Sequence, residues 1–150
     1  MSRVREIWIL RHAEAESTGP EGDASRRLTG DGRRRAKEVG RSLADRGLKP
    51  GRVVTSPYLR ARETAEIAAA EAAPKIGIEE DVRLEPGGDT GDAARAILHD
   101  GPLPALLVGH NPDLSELVLA LSGSPVAMRK GMLVRLEFEG RGKARIAEVL

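Results

Sequence analysis

Hydrophobic positions follow two rhythms along this chain. Short unbroken apolar runs alternate with stretches in which apolar residues recur every three or four positions. The first run, residues 6–10, ends in Ile7-Trp8-Ile9-Leu10 and has the length and continuity of a buried strand. Residues 13–27 are polar and Gly-rich around Gly19-Pro20-Glu21-Gly22-Asp23, which predicts a loop. Thr29 then suits an N-cap, and Ala36, Val39, Gly40 and Leu43 give helical spacing to about Arg46, where Gly47 ends the helix before a Pro50-Gly51 turn. Val53-Val54-Thr55 predicts a second strand. Ser56-Pro57 follows it, with the proline in the first turn of a second helix whose small face is Ala61, Ala65, Ala68 and Ala72.

The same alternation continues to the C-terminus. Residues 76–84 predict a weaker third strand, followed by the loop Glu85-Pro86-Gly87-Gly88-Asp89 and a third helix over residues 92–98. Residues 103–108 predict a fourth strand. Asn111-Pro112 opens a fourth helix carried by Leu114, Leu117, Val118 and Leu121. Residues 132–138, a turn at 140–142 and residues 144–149 read as a closing hairpin. Strands alternating with helices predict an α/β fold, a three-layer α/β/α sandwich with a mostly parallel central sheet and a C-terminal antiparallel hairpin. At 150 residues, the chain is expected to form a single domain over residues 1–150.

Composition narrows the function. The net charge is +1, and the single Trp, Tyr and Phe offer no platform for stacking bases, so nucleic acid is not an expected partner. Arg33-Arg34-Arg35 reads as a solvated helix face, as do Arg62, Glu63 and the acidic run Glu79-Glu80-Asp81. With no cysteine there is no disulfide, no thiolate zinc site and no cysteine nucleophile. The apolar stretch at residues 7–10 is too short for a signal-peptide core or a membrane span, so no membrane association and a cytoplasmic location are expected.

Chemistry concentrates at three strand-to-loop junctions, which share one edge if the sheet is parallel. The first carries Arg11 and His12. The second leads into Arg60, in the first turn of a helix, and the fourth strand releases His110 ahead of Asn111-Pro112. His99, the remaining histidine, reads as a surface residue near a helix end. Helix N-termini favour anions, and arginine's planar fork matches phosphate oxygens. Two imidazoles with arginines therefore suggest phosphoryl chemistry with a histidine nucleophile, which attacks as the neutral base. Arginines beside the imidazoles would repel a metal cation, and neither HxH nor HExxH spacing is present, so no metal is expected. No Gly-rich phosphate loop follows any strand, which argues against a nucleotide-binding module.

These residues carry a resemblance. Leu10-Arg11-His12-Ala13, the segment Thr55-Ser56-Pro57-Tyr58-Leu59-Arg60-Ala61-Arg62-Glu63-Thr64-Ala65, and Val108-Gly109-His110-Asn111-Pro112 resemble the histidine phosphatase (phosphoglycerate-mutase-like) superfamily. The short length and Asp23-Ala24-Ser25-Arg26-Arg27-Leu28-Thr29 followed by Gly32 look most like its SixA-type phosphohistidine phosphatases. The similarity spans residues 7–121. It implies a cofactor-independent enzyme with His12 as nucleophile, Arg11, Arg60 and His110 holding the phosphoryl group, and Arg26 as a further phosphate contact. Ala13 stands where the superfamily motif has glycine, a departure familiar among SixA-like members. For the general acid, Glu85 lies in the region where larger members place a glutamate, with Glu14 and Asp23 as rivals.

The expected substrate is phosphohistidine on a protein, such as a phosphorelay domain, met in a shallow, open pocket because no long insertion builds a lid. The alternative is a phosphatase of a small phosphate ester, and a third reading is a non-catalytic phosphoryl-binding module.

Overall fold

Alternation within the first apolar run decides how the sheet is sandwiched. In the computed structural model, which describes residues 4–150, strand β1 (Val4–Arg11) sends Ile7 and Ile9 to one face and Trp8 and Leu10 to the other. Both faces are covered, so the run is apolar throughout. The other strands are β2 (Arg52–Thr55), β3 (Ile78–Glu80), β4 (Ala105–Gly109), β5 (Leu133–Glu139) and β6 (Arg145–Val149). They form one six-stranded sheet in the order β3-β2-β4-β1-β5-β6. Strands β1 to β4 run parallel, and β5 and β6 add antiparallel at one side.

Among the described residues four helices complete the layers: α1 (Gly30–Asp45), α2 (Leu59–Ala72), α3 (Thr90–Asp100) and α4 (Asp113–Ser122). Val39 and Leu43 of α1 and the alanines of α2 pack on Trp8, Leu10, Leu106 and Val108. On the opposite face, Ile97 of α3 and Leu114, Leu117 and Val118 of α4 pack on Ile7, Ile9 and Leu107. This is the three-layer arrangement that the two rhythms imply. The small face of α2 lets α1 come close: a Cβ on Gly40 would lie 2.5 Å from the Ala68 carbonyl oxygen.

Several boundaries differ from expectation. The third strand covers only Ile78–Glu80, because the Asp81 carboxylate accepts the Arg83 N–H at 2.9 Å and winds Val82–Leu84 into a 3₁₀ turn. Pro57 precedes α2 instead of sitting in its first turn, with Tyr58 as the N-cap residue. The loop at 13–27 contains a 3₁₀ turn, Asp23–Ser25, and a bridge between Ala15 and Leu28. Of the basic run, Arg35 is not merely solvated: its Nε donates to the Gly131 carbonyl at 2.9 Å. Glu63 likewise accepts the Leu28 N–H at 2.9 Å and ties that loop to α2. The acidic run pairs with arginines, Glu79 with Arg52 and Glu80 with Arg62.

Connectivity selects one edge of the sheet. The chain leaves β1 toward α1 on one face and leaves the adjacent β4 toward α4 on the other. A crevice opens beyond carboxyl ends where such connections diverge. No helix among the described residues is long and apolar enough to cross a membrane.

Candidate active site

Strand register brings the two histidines together. Arg11 is the partner of Gly109 across β1 and β4, so the next residue on each strand is a histidine. The His12 N–H donates to the Gly109 carbonyl at 3.0 Å, and the two imidazole centroids lie 5.2 Å apart. One strand further, Thr55 pairs with Val108, so Ser56 leaves β2 level with Gly109 and its Oγ reaches the His110 ring. The first turn of α2 adds Arg60. His12, Arg60 and His110 are 6%, 5% and 3% exposed, far below what charged or polar side chains usually show.

The orientation of His12 is determined by an acceptor that cannot donate. Its Nδ1 lies 2.7 Å from the Ala13 carbonyl oxygen, so Nδ1–H is the donor and the neutral ring carries its lone pair on Nε2. The Ala13 N–H in turn donates to Thr64 Oγ1 at 3.1 Å, and the Thr64 hydroxyl donates to the Arg60 carbonyl at 2.7 Å. Arg60 Nε donates to this Nε2 lone pair at 3.4 Å, a long hydrogen bond. Burial lowers the His12 pKa to about 4; the Ala13 carbonyl opposes this, and the charges of Arg60, Arg11 and Arg26 reinforce it. His12 is thus a neutral base at pH 7. Burial also lowers His110 to about 3, helped by His12 and Arg60.

These groups wall a cavity of about 210 Å³ shared by Arg11, His12, Asp23, Arg26, Arg60, His110, Asn111 and Lys130. Four cationic side chains face one carboxylate there, which suits an anion. Arg11 donates Nη1–H to the Met128 carbonyl at 3.0 Å, but its Nε is buried with no partner among the described residues. His110 Nδ1 is likewise buried without a partner among those residues. Unpaired buried polar atoms are uncommon, and both of these belong to residues that line the cationic cavity. The segment 128–131 supports this wall, since the Gly131 N–H reaches the carbonyls of both Arg11 and His12 at 3.1 Å.

Of the three carboxylates considered as general acid, only Asp23 reaches the cavity. Its Oδ1 accepts from Arg26 Nε at 2.8 Å, and its Oδ2 and backbone carbonyl accept from Arg60 at 3.2 and 2.9 Å. Burial acts to raise the Asp23 pKa, yet the hydrogen bonds and charges of Arg26 and Arg60 outweigh it and hold the carboxyl below its ordinary value. Glu14 instead accepts the Thr29 hydroxyl at 2.7 Å, away from the cavity. Glu85 is not part of the lining, although its neighbour Pro86 is. His99 is exposed near the end of α3, paired with Asp100. Among the described residues, no three His, Asp or Glu side chains are grouped to hold a metal ion.

Sequence reasoning missed Lys130 and did not weigh Ser56 or Thr64 as site residues. Thr64 could have been found, since it lies one helical turn beyond Arg60. Lys130 carries no local signal, because only the return of the chain into β5 brings it to the cavity.

Known proteins resemble this chain in sequence and in fold. Residues 7–86 match the sequence profile of the histidine phosphatase superfamily (branch 1). An uncharacterised protein of Picosynechococcus sp. is 35% identical, over 94% of this chain and 88% of its own length. In fold, the chain superposes on the protein histidine phosphatase SixA complexed with tungstate with a TM-score of 0.87, at 23% identity over 97% of this chain and 96% of that one. It also superposes on a mycobacterial glucosyl-3-phosphoglycerate phosphatase complexed with VO3, with a TM-score of 0.72 at 17% identity, over 96% of this chain and 98% of that one. The chain belongs to the histidine phosphatase superfamily, branch 1.

Proposed function

We propose that this protein is a phosphatase that works through a phosphohistidine on His12, and that its substrate is phosphohistidine carried by another protein. The observation that carries the first part is the His12 ring. Its Nδ1–H is held by the Ala13 carbonyl, so the lone pair lies on Nε2, beside a cavity lined by arginines, with only a long 3.4 Å hydrogen bond from Arg60 Nε to give up. A neutral, oriented imidazole in that setting is equipped for nucleophilic attack on phosphorus. Arg11, Arg26, Arg60 and His110 supply donors for the phosphoryl oxygens and stabilise the charge that builds on them in the transition state.

The reaction then runs in two displacements. His12 Nε2 forms a bond to phosphorus as the bond from phosphorus to the substrate's imidazole nitrogen breaks, and the departing imidazole keeps or takes up a proton. Water next attacks the phosphorylated His12, releasing inorganic phosphate and restoring the neutral ring. No metal or organic cofactor is needed for either step.

The preference for a phosphohistidine substrate rests on the acid. An alkoxide leaving group needs a positioned proton donor, whereas an imidazole is a much better leaving group. Among the described residues the one carboxylate at the cavity is Asp23, which is engaged by two arginines and held ionised at neutral pH, and so is poorly suited to donate. The fold likeness to the protein histidine phosphatase SixA supports the same reading. A second reading, a phosphatase of a small phosphorylated metabolite, draws support from the likeness to the glucosyl-3-phosphoglycerate phosphatase.

Phosphate release from a histidine-phosphorylated protein, measured beside a panel of small phosphate esters without added metal, decides between them. Faster turnover of the phosphoprotein, lost by a factor of at least about 10³ in His12→Ala, is the expected result. Preference for one ester would favour the metabolite reading. Turnover retained in His12→Ala would remove His12 as nucleophile, and phosphate binding without turnover in the unaltered protein would indicate a binding module.

A further inference from the structure

We propose that Ser56 is a positioning residue that fixes the tautomer of His110, so that His110 meets the phosphoryl oxygens as a neutral Nδ1–H donor. The proposal rests on the phosphatase reading for the donor's target, but the tautomer itself is a property of the protein alone.

Hydrogen-bond accounting carries it. Ser56 is fully buried, and its Oγ lies 2.8 Å from His110 Nε2. The Tyr58 N–H donates to the same oxygen at 3.2 Å, so one of the hydroxyl's acceptor positions is already used. What remains is its single hydrogen, and His110 Nε2 is the only hydrogen-bond acceptor available to it among the described residues. If Nε2 carried a proton, that hydroxyl hydrogen would be buried with no acceptor. His110 Nδ1 would then carry a lone pair, buried and without a partner among the described residues, on a side chain that lines a cavity suited to anions. If Ser56 donates to Nε2 instead, every hydrogen at the serine is used and Nδ1–H is left for the ligand.

Two further features hold the ring in place. The Tyr58 ring meets His110 edge-on at 5.3 Å, and His12 lies against it at 5.2 Å. The serine is itself positioned by register, since its N–H donates to the Val108 carbonyl at 3.0 Å, two residues before His110. Both histidines of the site therefore have their tautomers set by a neighbour, and in opposite senses with respect to the ligand. His12 has its Nδ1–H taken by Ala13 so that a lone pair faces the phosphorus. His110 has its lone pair taken by Ser56 so that a hydrogen faces the oxygens.

The experiment is ¹⁵N–¹H correlation spectroscopy of the histidine rings in the unaltered protein between pH 6 and 8, with and without inorganic phosphate. His110 is expected to show a protonated Nδ1 and an unprotonated Nε2, and the Nδ1–H signal is expected to shift when phosphate binds. Ser56→Ala is expected to populate the Nε2–H form and lower turnover about 10- to 100-fold, with Ser56→Thr restoring much of it. A protonated Nε2 in the unaltered protein, or an Nδ1–H signal indifferent to bound phosphate, overturns the proposal. So does Ser56→Ala with its ring spectrum and turnover unchanged. The ring spectrum needs no substrate, so a failed phosphatase assay and a wrong tautomer are read separately.

Discussion

The carboxylate of Asp23 reaches Arg60 at 3.2 Å, inside the cavity that His12 opens into. The protein thus places an anion of its own on the arginine expected to hold phosphate, while Arg26 grips the other carboxylate oxygen. Two opposite consequences follow. The carboxylate holds both guanidinium groups in place, and it repels an incoming phosphoryl group.

Repulsion should win for binding, because Arg60 is also stacked over the Tyr58 ring at 5.1 Å and keeps its approach to His12 without Asp23. A unit charge about 4 Å away in a water-like medium is worth about 1 kcal/mol. Asp23→Asn is therefore expected to tighten inorganic phosphate about fivefold in calorimetric titration, with the gain shrinking at high salt. Weaker binding in the variant would show that holding the arginines is the larger effect.

Acid should destabilise the protein earlier than its carboxylates alone would require. His12 and His110 are lowered by burial to about 4 and about 3 in the folded state, against about 6.5 in the unfolded chain. Between pH 6.5 and about 4 the unfolded chain takes up protons that the folded one refuses, so stability falls as pH falls. The slope reaches at most about 1.4 kcal/mol per pH unit for each histidine. Urea unfolding at several pH values between 7.5 and 4.5 measures it. Replacing both histidines by asparagine should flatten the curve, and an unchanged slope would sink the assignment.

Thr64 links stability to the nucleophile. Its hydroxyl oxygen receives the Ala13 N–H, and the Ala13 carbonyl holds His12 Nδ1. Thr64→Val keeps the shape but leaves a buried N–H without an acceptor, at a cost of about 1–3 kcal/mol. Turnover should also fall about three- to tenfold as the Ala13 peptide loosens. Equal stability and equal turnover in the variant would show that the contact has no such role.

Gly40 tests how closely the two helices of one layer approach. Alanine there gains about 1 kcal/mol of helix propensity. Its Cβ, however, would lie 2.5 Å from the Ala68 carbonyl oxygen and 2.9 Å from Ala68 Cα, backbone atoms that cannot swing aside. Overpacking costs about 1–3 kcal/mol and should prevail. Gly40→Ala is expected to lower the melting temperature while leaving kcat at 25 °C unchanged, since the contact lies away from the cavity. A stabilised variant would mean that α1 and α2 can separate freely.

Much of this protein was legible along the chain because the physics involved is local. Continuous apolar runs such as residues 7–10 mark strands buried on both faces, and helical spacing in residues 36–43 marks the element that covers one of them. Arg11-His12 and His110 stand out because strands in a parallel sheet release their functional residues at one edge. Arg60 stands out because it begins a helix at that same edge. Short elements are less legible. Residues 82–84 have strand-like composition, yet one hydrogen bond from the Arg83 N–H to the Asp81 carboxylate bends them into a turn.

What the chain alone could not decide is which groups share space. The choice of Glu85 over its rivals Glu14 and Asp23 stays open along the chain, because a carboxylate's role depends on its neighbours and those neighbours are distant in sequence. Folding carries Asp23 onto Arg60, 37 residues away, and ties Glu14 to Thr29 instead. Lys130 reaches the cavity through the path of β5, and Ser56 meets His110 across 54 residues through the register of β2 on β4. Sequence by itself determined the elements and the reactive residue types, since these follow from periodicity and side-chain chemistry. Tertiary structure alone decided the tautomers, the ionised acid and the partners of each arginine, because hydrogen bonds and charges act over a few ångströms of space and take no account of separation along the chain.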